Sequence, residues 1–154
     1  VERMIGSRRE DDVAVLGVRI DHLLAAPLSI RLPAEPARLR SVRRQFRGWL
    51  SDHGVAHDDA ESLLLAVGEA IANGIAHAYG NGSGELRVDA NVDGGVLRVR
   101  VEDDGRWRPP RDDEGRGLQI IRGLCEDVEI VTGASGTMLT FARQLRAGNG
   151  QAVN

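Results

Sequence analysis

Between Leu86 and Val101 the chain spells out two short alternating segments on either side of Asp93-Gly94-Gly95. Leu86, Val88, Ala90 and Val92 alternate with polar neighbours, and Leu97, Val99 and Val101 do the same. A period of two gives a strand one apolar face, and a tight Asp-Gly-Gly turn returns the second strand antiparallel to the first. Any fold of this chain has to contain that hairpin.

Helical periodicity precedes it. From Pro36 to about His53, Leu39, Val42, Phe46, Trp49 and Leu50 recur at helical spacing against an arginine-rich face. A second helix is expected from about His57 to Tyr79, with Asp58 and Asp59 in its first turn, Gly80 at its end, and Leu63, Val67, Ile71 and Gly74 on its apolar side. Pro27, Pro33 and Pro36 punctuate a linker leading into a short strand, Leu28 to Leu32. After the hairpin, RWRPPRDDE is too polar and proline-rich for regular structure and reads as a loop able to cover a ligand. A helix from about Gly117 to Leu124 and strands Val128 to Thr132 and Thr137 to Leu145 close the pattern.

At 154 residues with 42% apolar content, the chain suits one principal compact domain. Its net charge is −3 with few aromatic residues, which argues against a nucleic-acid partner. A single cysteine, Cys125, rules out an internal disulfide and any CxxC framework, and its place at an apolar helix end marks it as a packing residue. No apolar run is long enough to cross a bilayer, and VERMIGSRREDD is neither signal nor transit peptide, so a cytoplasmic location without membrane contact is expected. All 20 basic residues are arginine. Both the Walker A loop and the eukaryotic-type protein kinase place a lysine on the phosphates, so both are excluded if this chain handles ATP.

Three groups of residues carry chemistry. Glu69, Asn73 and His77 stand four apart in the second helix and share one polar stripe. An amide oxygen at Asn73 is a hard ligand suited to Mg²⁺, and a carboxylate one turn away at Glu69 can accept a proton from a hydroxyl. The same stripe also suits a plain solvated helix face. Next, Asp103 ends a strand, where its carboxylate can accept a bond from an exocyclic amine while Gly105 lets a ligand approach the backbone. An Asx-type strand end has the same sequence. Last, GRGLQII opens a helix whose free N–H groups suit an anion, with Gly115 and Gly117 permitting a tight path. Ile120 stands at the third glycine position of a dinucleotide fingerprint, so that fold is not indicated.

Taken in order, ExxxNxxxHAY, DxG and GxGL resemble the N, G1 and G2 boxes of the Bergerat-fold (GHKL) ATPases, the superfamily of gyrase, MutL and the sensor histidine kinases. The HAY ending and the trailing LCEDVEI and GTMLTF are most similar to the anti-sigma factor serine kinases of the RsbW and SpoIIAB family, over roughly Leu28 to Leu145. The resemblance implies a two-layer α/β sandwich of a mixed, largely antiparallel sheet and helices, binding ATP with Mg²⁺. It implies Glu69 as catalytic base, Asn73 as Mg²⁺ ligand, Asp103 as the adenine-binding carboxylate and Gly105, Gly115 and Gly117 as nucleotide-loop glycines. His77, Arg116, Leu118 and Thr137 join them around the nucleotide. It further implies phosphorylation of a serine or threonine on a STAS-domain anti-anti-sigma protein, sequestration of a sigma factor, and a homodimer. The alternative within the same resemblance is a non-catalytic ATP-binding module that only sequesters its partner.

Trp107 stands where the G1 box often has a second glycine, which bears on lid closure. Neither His53 nor His57 lies in a recognisable acceptor helix, which disfavours histidine autophosphorylation. REDDVAVLGVRI resembles the last strand of SpoIIE/RsbU-type phosphatases, with Asp11 as a metal ligand. The expected organisation is therefore a phosphatase tail (1–20), a linker (21–27), the kinase domain (28–146) and a flexible tail or linker (147–154). With valine first and no initiator methionine, the chain is expected to come from a longer protein. Arg38, Arg40, Arg43, Arg44 and Arg47 suit either a docking patch for an acidic partner or a solvated face.

Overall fold

The first strand of the computed structural model, β1 (Leu28–Pro33), alternates buried Ile30 and Leu32 with exposed neighbours and forms one edge of a five-stranded sheet. The described residues are 26–79, 84–105 and 115–146. The 1–20 segment with Asp11, most of the 21–27 linker, Gly80, the 106–114 loop with Trp107, the tail 147–154 and the His77 side chain lie outside them.

A single 3₁₀ turn, Pro36–Arg38, leads into α1 (Leu39–Asp52), whose buried side is Val42, Phe46, Trp49 and Leu50. After residues 53–56 the chain returns as α2 (His57–Asn73), burying Leu63, Leu64, Val67 and Ile71. The expected helix to Tyr79 does not continue as α-helix. Beyond Asn73 it widens into a π-helical segment, Gly74–Tyr79, at the place where a Cβ on Gly74 would come within 2.7 Å of Leu86 Cδ2.

The hairpin forms where its alternation placed it, as β2 (Glu85–Asp93) and β3 (Val96–Asp103), turning through Gly94 and Gly95, both at positive φ. Then come α3 (Arg116–Leu124), β4 (Glu126–Gly133) and β5 (Gly136–Gln144). The strand order is β1-β2-β3-β5-β4. The two-layer α/β sandwich is as expected, but the sheet is not mixed: all four pairings are antiparallel. The cause is local. Two strand pairs are tight hairpins, and the chain leaving β3 passes through α3 to the far edge before β5 turns back between β3 and β4.

One sheet face is apolar. Leu86, Val88 and Ala90 of β2, Leu97, Val99 and Val101 of β3, and Leu139 and Phe141 of β5 share a core with the helices' buried residues. Burial of so many large side chains, at about 1.5–3 kcal/mol each, is the main force holding helices to sheet. A buried ion pair adds to it. Asp59, fully buried in α2's first turn, accepts hydrogen bonds from Arg143 Nε (3.0 Å) and Nη2 (2.8 Å) of β5 and from the Arg146 N–H (2.9 Å). Arg143 also donates to the Leu124 carbonyl at the end of α3, so one arginine joins β5, α2 and α3.

Candidate functional site

Glu69 and Asn73 are both half-buried and lie one helical turn apart on α2. Their spacing is a property of the helix; what faces them is a property of the fold. A Cβ placed on Gly117, in the first turn of α3, would lie 2.9 Å from Glu69 Oε2 and 3.0 and 3.1 Å from Asn73 Oδ1 and Nδ2. Any larger residue would push both side chains aside. The N-terminal end of α3, positive by its dipole, thus abuts the carboxylate and the amide.

The strand-end carboxylate reaches the same place. Gly74 directly follows Asn73, and a Cβ there would lie 3.9 Å from Asp103 Oδ2. Asp103 Oδ1 accepts a hydrogen bond from the Gly105 N–H (3.1 Å), closing a tight turn at the end of β3. Burial pushes the Asp103 carboxyl above the usual carboxylate range, partly offset by backbone N–H bonds from Gly105 and Thr137, with the Asp104 charge adding to the rise. A carboxylate so placed gains from a ligand donor that replaces lost water.

Thr137 stands opposite Asp103 in the β3–β5 register. Its Oγ1 is buried and has no hydrogen-bond partner among the described residues. Two polar groups side by side, one orphaned and one desolvated, fit a ligand that both donates and accepts, as an adenine edge does. Gly136, just before, has φ +133°, and a Cβ there would meet the Asp103 carbonyl oxygen at 1.8 Å, so only glycine lets β5 start this close to β3's end.

The remaining expected residues divide. Gly115 precedes α3, Arg116 is exposed at its start, and Leu118 packs partly buried against the core. Gly105 is buried beside Asp103. The His77 backbone lies in the π-helical segment. Among the described residues no cluster of three or more His, Cys, Asp or Glu side chains is placed to hold a metal ion. A magnesium ion that keeps most of its waters and phosphate oxygens needs only one or two protein ligands, and the Asn73 amide fits that need. Cys125, buried after α3, has its thiol pushed up to about 11 by burial and is a packing residue. Sequence reasoning missed Gly74 and Gly136 as the points of closest approach; Gly74 was legible only as part of an apolar helix side.

One helix stripe, one strand end and one helix start thus converge on a single candidate site. Residues 32–143 match the family model of the histidine kinase-like ATPase domain, and the chain belongs to that family. Among its relatives, the serine-protein kinase RsbW of Listeria innocua is 35% identical over 67% of this chain and 78% of its own length. The serine-protein kinase RsbW of Bacillus velezensis is 38% identical, covering 82% and 89% respectively. Of solved structures, the RsbU and RsbW domains of Rv1364c from Mycobacterium tuberculosis superpose with a TM-score of 0.67 at 32% identity. That likeness covers 79% of this chain and 33% of the other, so the chain spans about a third of that protein. The histidine kinase domain of a blue-light activated kinase from Erythrobacter litoralis is more distant, at 26% identity and a TM-score of 0.52. None of the helices described is long and apolar enough to cross a membrane.

Proposed function

We propose that the chain is an ATP-dependent serine/threonine protein kinase and anti-sigma factor. It phosphorylates a STAS-domain anti-anti-sigma protein and sequesters a sigma factor when that antagonist is absent, acting as a homodimer in the cytoplasm. The observation that carries the reading is the convergence of Glu69, Asn73 and Gly117 beside Asp103. The kinship with proteins named serine-protein kinase RsbW supports it.

The residues divide the work. Asp103 and Thr137 hold the adenine edge, Gly105 lets the base approach the backbone, and the start of α3 from Gly115 to Leu118 faces the phosphates. Arg116 and His77 border the same nucleotide. Mg²⁺, with Asn73 as its protein ligand, would neutralise charge on the phosphate oxygens when bound. Glu69 takes the proton from the acceptor hydroxyl as the serine oxygen bonds to the γ-phosphorus; the bond from that phosphorus to the β–γ bridging oxygen breaks, and ADP leaves. We also read residues 1–20 as the tail of a phosphatase domain, a reading supported by a structural relative that carries RsbU and RsbW domains together.

The test is incubation of the purified chain with γ-labelled ATP, Mg²⁺ and the STAS-domain proteins of its source, beside the Glu69→Ala variant. Label on a STAS serine or threonine, falling about a hundredfold or more in the variant while ATP still binds, is the expected result. ATP binding without transfer would replace the kinase by a sequestering module, and absence of ATP binding would remove the nucleotide reading altogether.

A further inference from the structure

Along β5 the helix-facing row runs Leu139, Phe141, Arg143, with an arginine where the alternation calls for a third apolar side chain. Arg143 stands opposite buried Leu97 in the β3–β5 register, and its side chain keeps only 17% exposure. An apolar residue of similar volume at such a place often serves stability as well or better. What it would lack is a directed hold on two helices at once.

Arg143 Nε and Nη2 donate to Asp59 in the first turn of α2, and Nη1 donates to the Leu124 carbonyl at the end of α3. The closing carbonyls of a helix have no donor within it, and a cation there also suits the dipole. The start of the same nine-residue helix is the part that abuts the site, since a Cβ on Gly117 would lie 2.9–3.1 Å from Glu69 and Asn73. α3 therefore lies antiparallel along α2, its end tied to the first turn of α2 and its start set against the last turns. With about 10 Å of continuous helix between Gly117 and Leu124, a displacement of one end carries the other. A misplacement of about 1 Å at a reacting centre can cost about a hundredfold in rate.

We propose that Arg143, clamped by Asp59, is a positioning residue for the nucleotide site: it holds the end of α3 so that the start of that helix keeps its place against Glu69 and Asn73, and ATP bound at the start tightens the hold at the end. This rests on the nucleotide reading and adds to it a coupling between the two ends of one helix, which by linkage acts in both directions. The protein carries its own reporter. Cys125, its single cysteine, is buried directly after α3, where its N–H donates to the Ile121 carbonyl at 2.8 Å. It lies at the opposite end of α3 from Gly117, so its reactivity follows the held end of the helix.

The experiment uses the full chain, with ATP affinity read by calorimetry in Mg²⁺ and Cys125 labelling read with a chromogenic disulfide reagent, both well below the melting temperature. Arg143→Lys keeps a charge beside Asp59 but has no fork to reach the Leu124 carbonyl as well. Leu50→Ala, a core cavity on α1, is the control for a general loss of stability. Arg143→Lys should weaken ATP binding about tenfold and speed Cys125 labelling about tenfold, and saturating Mg-ATP should slow labelling of the wild type by a similar factor. Leu50→Ala should lower the melting temperature with ATP affinity unchanged. Wild-type ATP affinity and labelling in Arg143→Lys, or an equal loss of ATP affinity in Leu50→Ala, would overturn the positioning role while the nucleotide reading stands. Wild-type labelling indifferent to ATP that binds would overturn the coupling. A wild type that binds no ATP would overturn the nucleotide reading and the inference with it.

Discussion

Asp59→Asn should be among the most destabilising single changes in this domain, although the residue is no part of the candidate site farther along the same helix. The carboxylate is fully buried and receives two hydrogen bonds from Arg143 and one from the Arg146 backbone, at 2.8–3.0 Å. Breaking a buried pair by removing one charge costs about 3–5 kcal/mol. The Arg143 side chain keeps 17% exposure and its bond to the Leu124 carbonyl, which places the loss near the lower end, about 3 kcal/mol. Against a total of about 5–15 kcal/mol that is a large fraction. With a urea slope of about 2 kcal/mol per molar, the midpoint should fall by about 1.5 M. Arg143→Met should cost a similar amount, and the double variant less than the sum, because with both ionised groups removed neither charge is left stranded. The pH dependence has a definite sign. Burial alone would raise the Asp59 pKa, but the Arg146 N–H bond and Arg143's bonds and charge outweigh it and hold it below 3.8. A depressed carboxylate stabilises the fold above its unfolded pKa and loses that contribution as pH falls through the folded value. Wild type should lose this contribution in acid, and Asp59→Asn should lack that part of the slope. Equal urea midpoints for wild type and Asp59→Asn, or strictly additive losses in the double variant, would refute the argument.

Three further outcomes concern the site. Asn73→Ala should weaken ATP binding in the presence of Mg²⁺ while leaving Mg²⁺-free affinity nearly unchanged; calorimetry with and without the metal decides it. Asp103→Asn should remove the preference for ATP over GTP without lowering the melting temperature. Because the folded pKa of Asp103 is raised, its contribution to stability is present below 3.8 and lost as pH rises through the folded value, so at neutral pH the ionised group opposes folding. Gly117→Ala should reduce transfer by about 10- to 100-fold with little change in melting, since the atoms nearest the new methyl are the ends of Glu69 and Asn73, which it displaces. Steady-state kinetics beside a thermal melt separate these effects.

Much of this arrangement is local and therefore legible in the chain itself. The β2–β3 hairpin follows from period-two alternation around Gly94 and Gly95, and the Glu69–Asn73 stripe follows from helical spacing, because both depend on residues near one another in sequence. The order of the three boxes, with its resemblance to a known ATPase superfamily, was also there to be read. What only the tertiary structure decided are the contacts between distant segments. The closeness of Gly117 to Glu69 and Asn73, of Gly74 to Asp103, and of Gly136 to the Asp103 carbonyl depends on how α2, α3, β3 and β5 pack together, which no local period encodes. Asp59 makes the same point: from its position it suited a helix dipole, and only the fold brings Arg143, 84 residues away, to meet it in the core. Local periodicity chooses the elements because it is a property of neighbouring residues; the site and the ion pair are set by packing, which joins residues the sequence keeps far apart.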